Sequence, residues 1–375
     1  MERYLEKALK KRLGRKILLL AGPRQVGKTV LAKSLNESHA YYNYDIKRDF
    51  AVFLEQKFDM QAPLLIFDEI HKMKKWKLWL KGIYDEGRTS KQAIIVTGSA
   101  RLETMQKVGD SLAGRYFSFR LHPLDLKELA KTDSRENNYK KLLERGGFPE
   151  PFLSADPDFH RLWRRTHTDI ILRQDLMSLD VVKDIDSLEI LVEMLASRVG
   201  STISVKSLSE DLHVSDKTVN RWLRLLEDLY IVFRVTPFSK NIPRSLRKAS
   251  KFYFFDLGRI NGNESVKLEN LVALSIKKEL DFLEDTKGFK TKLHFLRTKD
   301  LKEIDFFVQI EKNNPFLIEV KLSDGAVSDN FKFFSKIFPN AHNIQWVKNI
   351  ERPYTTKNNI RVEAALPALE RLTFI

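Results

Sequence analysis

The 375-residue sequence predicts an α/β fold: a parallel sheet carrying a P-loop, followed by a helical region, a winged helix-turn-helix and a C-terminal α/β module. Three observations predict it. Over the first 120 residues, short apolar runs alternate with amphipathic stretches, the pattern of a parallel sheet flanked by helices. The octapeptide Gly22-Pro23-Arg24-Gln25-Val26-Gly27-Lys28-Thr29 satisfies G-x-x-x-x-G-K-[ST] between an apolar run and a helical pattern. Two late apolar runs, 303–310 and 316–321, flank the turn-forming stretch 311–315.

In order along the chain, residues 17–21, 64–67, 93–97 and 116–120 read as strands. Residues 29–35 and 76–84 carry apolar side chains at helical spacing, and the chain after Thr97-Gly98-Ser99 reads as loop and helix. Strand signals then vanish from His122 to about Ser197, leaving helical patterns interrupted at Gly146-Gly147-Phe148-Pro149 and Asp156-Pro157. Short helices followed by the β-rich run 230–235 occupy 198–251, and a long helix is expected over 268–282.

Composition narrows the function. Hydrophobic residues at 43% and charged residues at 31% allow proper cores and exclude a disordered tail or a fibre. No apolar run reaches bilayer-spanning length, and residues 1–16 form a basic amphipathic stretch without a signal-peptide core, so an intracellular, cytoplasmic protein with no membrane partner is expected. The absence of cysteine excludes disulfides, thiol catalysis and cysteine-ligated zinc. Neither H-E-x-x-H nor G-x-S-x-G occurs. A formal net charge of +15 favours a polyanionic partner, nucleic acid above all.

The P-loop predicts ATP bound with Mg2+. Its glycines let backbone N–H groups curl around phosphate oxygens, Lys28 reaches the β- and γ-phosphates, and the Thr29 hydroxyl holds magnesium. The run Leu64-Leu65-Ile66-Phe67-Asp68-Glu69 ends an apolar strand in two carboxylates. Asp68 is expected to assist the metal, and Glu69 to orient or deprotonate the attacking water. Ser99 stands where open α/β sheets meet their ligands, as a γ-phosphate sensor. Arg115, just before the fourth expected strand, is a candidate to stabilise transferred-phosphate charge in a neighbouring subunit, and acting in trans it would imply a homo-oligomer; an exposed structural arginine, in a monomer with an incomplete site, is the alternative.

Taken in order, these elements resemble an AAA+-type ATPase, and the whole chain resembles a family of predicted bacterial and archaeal ATPases with a C-terminal nuclease-like domain. The marks are Gly-Pro-Arg-Gln-Val-Gly-Lys-Thr (22–29), Phe-Asp-Glu-Ile-His-Lys (67–72), Thr-Gly-Ser-Ala (97–100), Leu-Ala-Gly-Arg (112–115), Gly-Gly-Phe-Pro (146–149), Leu-Glu-Asn-Leu-Val (268–272) and Ile-Glu-Val-Lys (318–321). The resemblance implies the same roles for Lys28, Thr29, Asp68, Glu69 and Ser99 and makes Arg115 a candidate arginine finger. No second sensor arginine stands out in the helical region. The implied organisation is a P-loop core over 1–121, a helical lid over 122–197, a winged helix over 198–260 and a restriction-endonuclease-like domain over 261–375.

Residues 205–218 read as helix, turn and a second helix capped by Ser215. In that helix Val219, Trp222, Leu223 and Leu226 fall on one face, leaving Lys217, Asn220, Arg221 and Arg224 outward as DNA contacts. Residues 198–251 hold 11 Lys and Arg against 5 Asp and Glu, the local excess that phosphate contact requires.

Farther on, Glu319 and Lys321 lie two apart on one strand and share a face, while Asp305 comes from the run before it. Two carboxylates and a lysine so placed suit magnesium and a scissile phosphate. The set resembles the D-(E/D)-x-K pattern of restriction-endonuclease-like folds, with Glu269 matching their additional carboxylate. The leading expectation is a DNA-associated ATPase whose cycle rearranges its domains. An ATP-gated metal-dependent nuclease and a nucleotide-switched protein-binding module are the alternatives.

Overall fold

The computed structural model describes residues 2–87, 89, 91–98, 112–156, 158–171, 184–239, 249–323 and 326–375. The chain forms two compact units: residues 1–123 with short returns at 228–230 and 285–287, and the remainder from Leu124 to Ile375.

The first unit is built on five parallel strands: β1 (Ile17–Ala21), β2 (Ala40–Asn43), β3 (Leu64–Asp68), β4 (Ala93–Thr97) and β5 (Tyr116–Arg120), in the order β2-β3-β4-β1-β5. Every residue of β1 and β3 is buried, which is why these strands read as unbroken apolar runs rather than alternating ones. Strand β2 went unpredicted. Its Ala-Tyr-Tyr-Asn sequence is short and only half-buried, because it lies at the sheet edge against β3 alone.

Helix Trp76–Asp85 buries Trp76, Leu80 and Ile83 at successive turns. Phe53, Phe58 and Phe67 pack with Trp79 at ring separations of 5.0–5.9 Å, forming the centre of this core. Truncation of a fully buried ring such as Phe67 costs about 3–5 kcal/mol.

Because all five strands are parallel, the loops after β1, β3 and β4 leave the sheet at the same end. Register places Asp68 beside Thr97 and Thr97 beside Leu20. Three segments distant in sequence thus meet at one edge, where open α/β sheets present their ligand crevice.

The second unit carries a nine-stranded mixed sheet. Its strands are β6 (Thr202–Ile203), β7 (Val232–Pro237), β8 (Ser250–Phe254), β9 (Thr291–Arg297), β10 (Glu303–Ile310), β11 (Phe316–Ser323), β12 (His342–Asn349), β13 (Tyr354–Thr355) and β14 (Ile360–Ala364). Their order is β13-β14-β12-β11-β10-β9-β7-β8-β6. The boundary expected at 121 lies beside the end of the first unit at Pro123, whereas those expected at 197 and 260 fall inside the second. The sheet itself crosses residue 260: β7 pairs with β9 in parallel through Thr236↔His294 and Pro237↔Phe295. This pairing satisfies backbone groups that a separate small module would leave on an open edge.

The long helix runs Glu264–Lys287, beyond the predicted 268–282 at both ends. Asn263 caps it by accepting from Val266 N at 3.2 Å, and Gly288 closes it in a left-handed conformation. The Gly-Gly-Phe-Pro motif has a structural role in this unit. Pro149 opens helix Pro149–Leu153, Phe148 packs on Trp163 at 5.3 Å, and a Cβ on Gly146, at φ 75°, would stand 1.9 Å from Asp256 Oδ1.

Candidate functional site

The P-loop follows the buried strand β1 and leads into helix Lys28–Ser34. Gly22 adopts φ 146°, and a Cβ there would lie 2.3 Å from the carbonyl oxygen of Leu121, so only glycine lets the loop leave the strand this closely. Lys28, mostly buried, donates its ammonium to the carbonyls of Gly22 and Pro23 at 3.0 and 2.6 Å. Arg3 donates to the carbonyl of Val26 at 2.8 Å, bracing the loop from the N-terminal segment.

Asp68, at the end of β3, receives hydrogen bonds from all sides. Thr29 donates its hydroxyl to Asp68 Oδ2 at 2.8 Å, Tyr41 donates to the same oxygen at 2.9 Å, and Thr97 donates to Oδ1 at 2.6 Å. A carboxylate so held is fixed in orientation, which is what a metal-supporting group requires. A hydroxyl and a carboxylate oxygen side by side are also the hard-oxygen donors that magnesium takes. Burial and the charge of Asp68 push the Tyr41 phenol up to about 12, so it stays a donor.

Glu69 sits in a left-handed conformation, φ 55°, with its amide donating to the carbonyl of Thr97 at 3.1 Å. Its carboxylate lies 3.6 Å from both His71 Nε2 and Lys72 Nζ. Burial raises its pKa, Lys72 pulls it down and Asp68 pushes it up again. A raised pKa suits proton abstraction near neutrality. The expected sensor Ser99 lies outside the described residues.

Arg115 precedes β5, whose start is paired with the start of β1. It therefore stands at the end of the sheet away from the P-loop, about 13 Å along the strands at 3.3 Å per residue. Its guanidinium holds Asp85 in a bidentate pair, 2.7 and 3.2 Å, and faces the Tyr84 ring at 5.9 Å. The structure does not bring Arg115 to its own chain's P-loop.

In the second unit, helix Val205–Asp211 and helix Asp216–Asp228 form the expected helix-turn-helix, and Ser215 Oγ accepts from Thr218 N at 3.1 Å. Val219, Trp222, Leu223 and Leu226 are buried. Lys217, Arg221 and Arg224 are exposed and make no ion pair among the described residues, while Asn220 is half-buried and donates to the carbonyl of Asp216 at 2.9 Å.

The structure also gathers Glu269, Asp305, Glu319 and Lys321. Strands β10 and β11 are antiparallel neighbours, and Asp305 sits at an irregularity in the β10 and β9 pairing between Ile304 and Phe307. Asp305 Oδ2 accepts from Val320 N at 2.9 Å, and Lys321 bonds Glu319 at 2.8 Å. Sequence reasoning missed Lys251, Tyr253 and Glu303. Lys251 Nζ stands 2.7 Å from Glu303, 3.3 Å from Glu269 and 3.6 Å from Asp305. The signal was a lone lysine in the otherwise apolar and aromatic run Ser-Lys-Phe-Tyr-Phe-Phe (250–255). Tyr41 and Thr97 were missed too: Thr97 pairs with Asp68 across β3 and β4, and the Tyr41 hydroxyl reaches it from two residues before Asn43, the β2 partner of Asp68.

Burial, then the charge of Asp305, raises both Glu269 and Glu319 to about 7, against the pull of Lys251 and Lys321 respectively. These carboxyls bind protons more tightly folded than unfolded. Their contribution to stability is therefore full below the ordinary carboxyl range and lost as pH rises through about 7. Thermal melts across this window are expected to show a midpoint that falls with rising pH, less steeply in Glu319→Gln. Parallel curves for the two proteins would show that Glu319 is not responsible.

Among the described residues no helix is long and apolar enough to cross a membrane. Comparison with known proteins agrees with the motif reading. Residues 14–130 match the family model described as an AAA domain, residues 136–265 a domain of unknown function (DUF8612), and residues 267–367 a domain of unknown function (DUF4143). Relatives occur in bacteria and archaea. Uncharacterized protein Rv2008c of Mycobacterium tuberculosis is 26% identical over 315 residues, 81% of this chain and 70% of that one. Uncharacterized protein MJ1544 of Methanocaldococcus jannaschii is 23% identical over 357 residues, 86% and 78% of the two chains. Among solved structures, a RuvB variant of Thermotoga maritima aligns over 62% of this chain and 87% of its own at 18% identity and TM-score 0.31. The Aeropyrum pernix ORC1 protein in complex with DNA aligns over 73% and 93% at 12% identity and TM-score 0.32.

Proposed function

Starting from an AAA domain over residues 14–130, we propose that this chain binds ATP with magnesium at residues 22–29, hydrolyses it, and uses the cycle on DNA. The observation that carries the reading is the hydrogen bond from Thr29 to Asp68 at 2.8 Å, which joins the loop after β1 to the end of β3. Lys28 serves the β- and γ-phosphates, Thr29 and Asp68 hold the metal, and Glu69 takes the proton of the attacking water. Magnesium, when bound, neutralises charge on the phosphate oxygens. Ser99 remains the proposed γ-phosphate sensor. Arg115, remote from its own P-loop, serves a neighbouring copy, so full activity requires a homo-oligomer. A cytoplasmic location belongs to the same reading.

The DNA part rests on the exposed side chains of Lys217, Arg221 and Arg224 along one helix, over a buried face of Val219, Trp222, Leu223 and Leu226. The element order helix, β6, helix, helix, β7, β8 is the basis for reading this region as a winged helix. A cationic helix face of this kind is what contacts phosphate and base edges.

The test is magnesium-dependent ATP hydrolysis by wild type, Lys28→Ala and Arg115→Ala, with and without duplex DNA. DNA is expected to stimulate wild type, Lys28→Ala to lose nucleotide binding, and Arg115→Ala to recover activity when mixed with a Lys28→Ala partner, because each copy then lacks only one part of a shared site. Each of Arg221→Ala and Arg224→Ala is expected to lower the salt dependence of DNA binding by about one released counterion. A wild type that binds nucleotide and partner protein but neither turns over nor responds to DNA would favour a nucleotide switch instead.

A further inference from the structure

Glu269, Asp305 and Glu319 are the carboxylates that a restriction-endonuclease-like arrangement would give to magnesium. The fit fails on what those oxygens already face. A divalent cation needs several oxygens turned toward one open position. Here one oxygen each of Glu269 and Asp305, with one of Glu303, lies around an ammonium: Lys251 Nζ is 2.7 Å from Glu303 Oε1, 3.3 Å from Glu269 Oε1 and 3.6 Å from Asp305 Oδ1. The remaining contacts hold the arrangement in place. Tyr253 donates its hydroxyl to Glu269 Oε1 at 2.7 Å, Val320 N donates to Asp305 Oδ2 at 2.9 Å, Arg297 donates to Glu303 Oε2 at 3.0 Å, and Lys321 donates to Glu319 Oε1 at 2.8 Å. One buried oxygen, Glu319 Oε2, makes no hydrogen bond; a single carboxylate oxygen beside a lysine is a poor seat for a divalent ion.

The lysine has nowhere else to place its charge. Its side chain is 2% exposed, β8 is buried along its whole length, and the Phe295 ring lies 5.6 Å from the ammonium. A buried ammonium persists only where carboxylates compensate it. Its burial opposes its charge, and Glu269, Asp305 and Glu303 outweigh that opposition, so the group stays protonated. Among the described residues no group of three or more His, Asp or Glu is arranged to hold a metal ion.

We propose that Lys251 is the resident cation of this centre, neutralising Glu269, Glu303 and Asp305 in place of a divalent ion, so that the domain keeps a nuclease-like arrangement without metal-dependent strand cleavage. The proposal is independent of the ATPase reading, because it concerns only the second unit.

The test counts Mn2+ bound by the nucleotide-free full-length chain, by electron paramagnetic resonance, in wild type, Asp305→Asn, Lys251→Met and the Lys251→Met, Asp305→Asn double variant. Methionine keeps the apolar stem and removes the charge. Wild type and Asp305→Asn are expected to bind Mn2+ alike, and neither to nick duplex DNA. Lys251→Met is expected to gain one site at least about a hundredfold tighter than any in wild type, since a unit charge at contact distance has been removed. The double variant should lose it. If Lys251→Met fails to fold, Mn2+ is expected to restore a cooperative melt, and restoration supports the proposal as directly as a counted site does. An Asp305-dependent Mn2+ site or Asp305-dependent cleavage in wild type overturns it, as does a Lys251→Met chain that folds without gaining a site or is not rescued by Mn2+.

Discussion

Glu69→Gln is expected to lower ATP turnover by about a hundredfold to ten-thousandfold, the range over which a positioned general base acts, while nucleotide affinity stays nearly unchanged. The two effects are expected to separate because the P-loop hydroxyl of Thr29 bonds Asp68 and not Glu69, on which Lys28 acts through its charge. The Glu69 amide is tied to Thr97 and its carboxylate lies toward His71 and Lys72. Glutamine keeps the size and can still orient water but cannot take its proton. Burial has already raised the carboxyl, which suits it to that proton transfer near neutral pH. Single-turnover hydrolysis read beside equilibrium binding of a fluorescent nucleotide distinguishes the outcomes. Turnover at the wild-type rate would remove Glu69 from the reaction and leave it a partner for His71 and Lys72.

Gly146→Ala is expected to destabilise the chain by about 2–6 kcal/mol, from two sources. An alanine at φ 75° and ψ −177° would occupy a region that is essentially open to glycine alone, at a cost of about 1–3 kcal/mol. Its Cβ would also fall 1.9 Å from Asp256 Oδ1, the oxygen that accepts from Gly258 N at 3.0 Å. Displacing a buried carboxylate from its donor costs about 1–3 kcal/mol more. Gly288→Ala gives the reference for a positive-φ glycine without a close approach. It is left-handed at φ 77° and ψ 14° and has nothing within 4 Å of its Cβ position, so a backbone cost of about 1 kcal/mol alone should appear. Denaturant melts of the two variants measure the difference. Equal losses would mean that Asp256 moves aside freely and the motif's close approach is not what requires glycine.

The legibility of each element followed from how local its determinants are. Strands β1, β3, β4 and β5 and the P-loop were read within a residue, because burial on both faces of β1 and β3 leaves an unbroken apolar run and the loop's geometry is set by eight consecutive residues. The helix-turn-helix was legible for the same reason: periodicity and the Ser215 cap lie within one short segment. Strand β2 was not legible, since a four-residue edge strand with half-buried side chains has neither an apolar run nor a clean alternation. Strands β9, β12 and β14 likewise gave too little local contrast to be separated from the chain around them.

By itself the sequence determined the α/β class, the P-loop motif, the carboxylate pair after β3 and the cationic helix face, each of which is specified by residue types at fixed short spacing. Only the tertiary structure decided that Tyr41 and Thr97 orient Asp68, that Arg115 stands at the far end of the sheet from its own P-loop, that β7 and β9 continue one sheet through residue 260, and that Lys251 fills the carboxylate cluster. The physical reason is common to all four. A side chain's partners across strands are fixed by pairing order and register between segments far apart in sequence. The periodicity within one segment sets which face a residue takes, not which charge it will meet there.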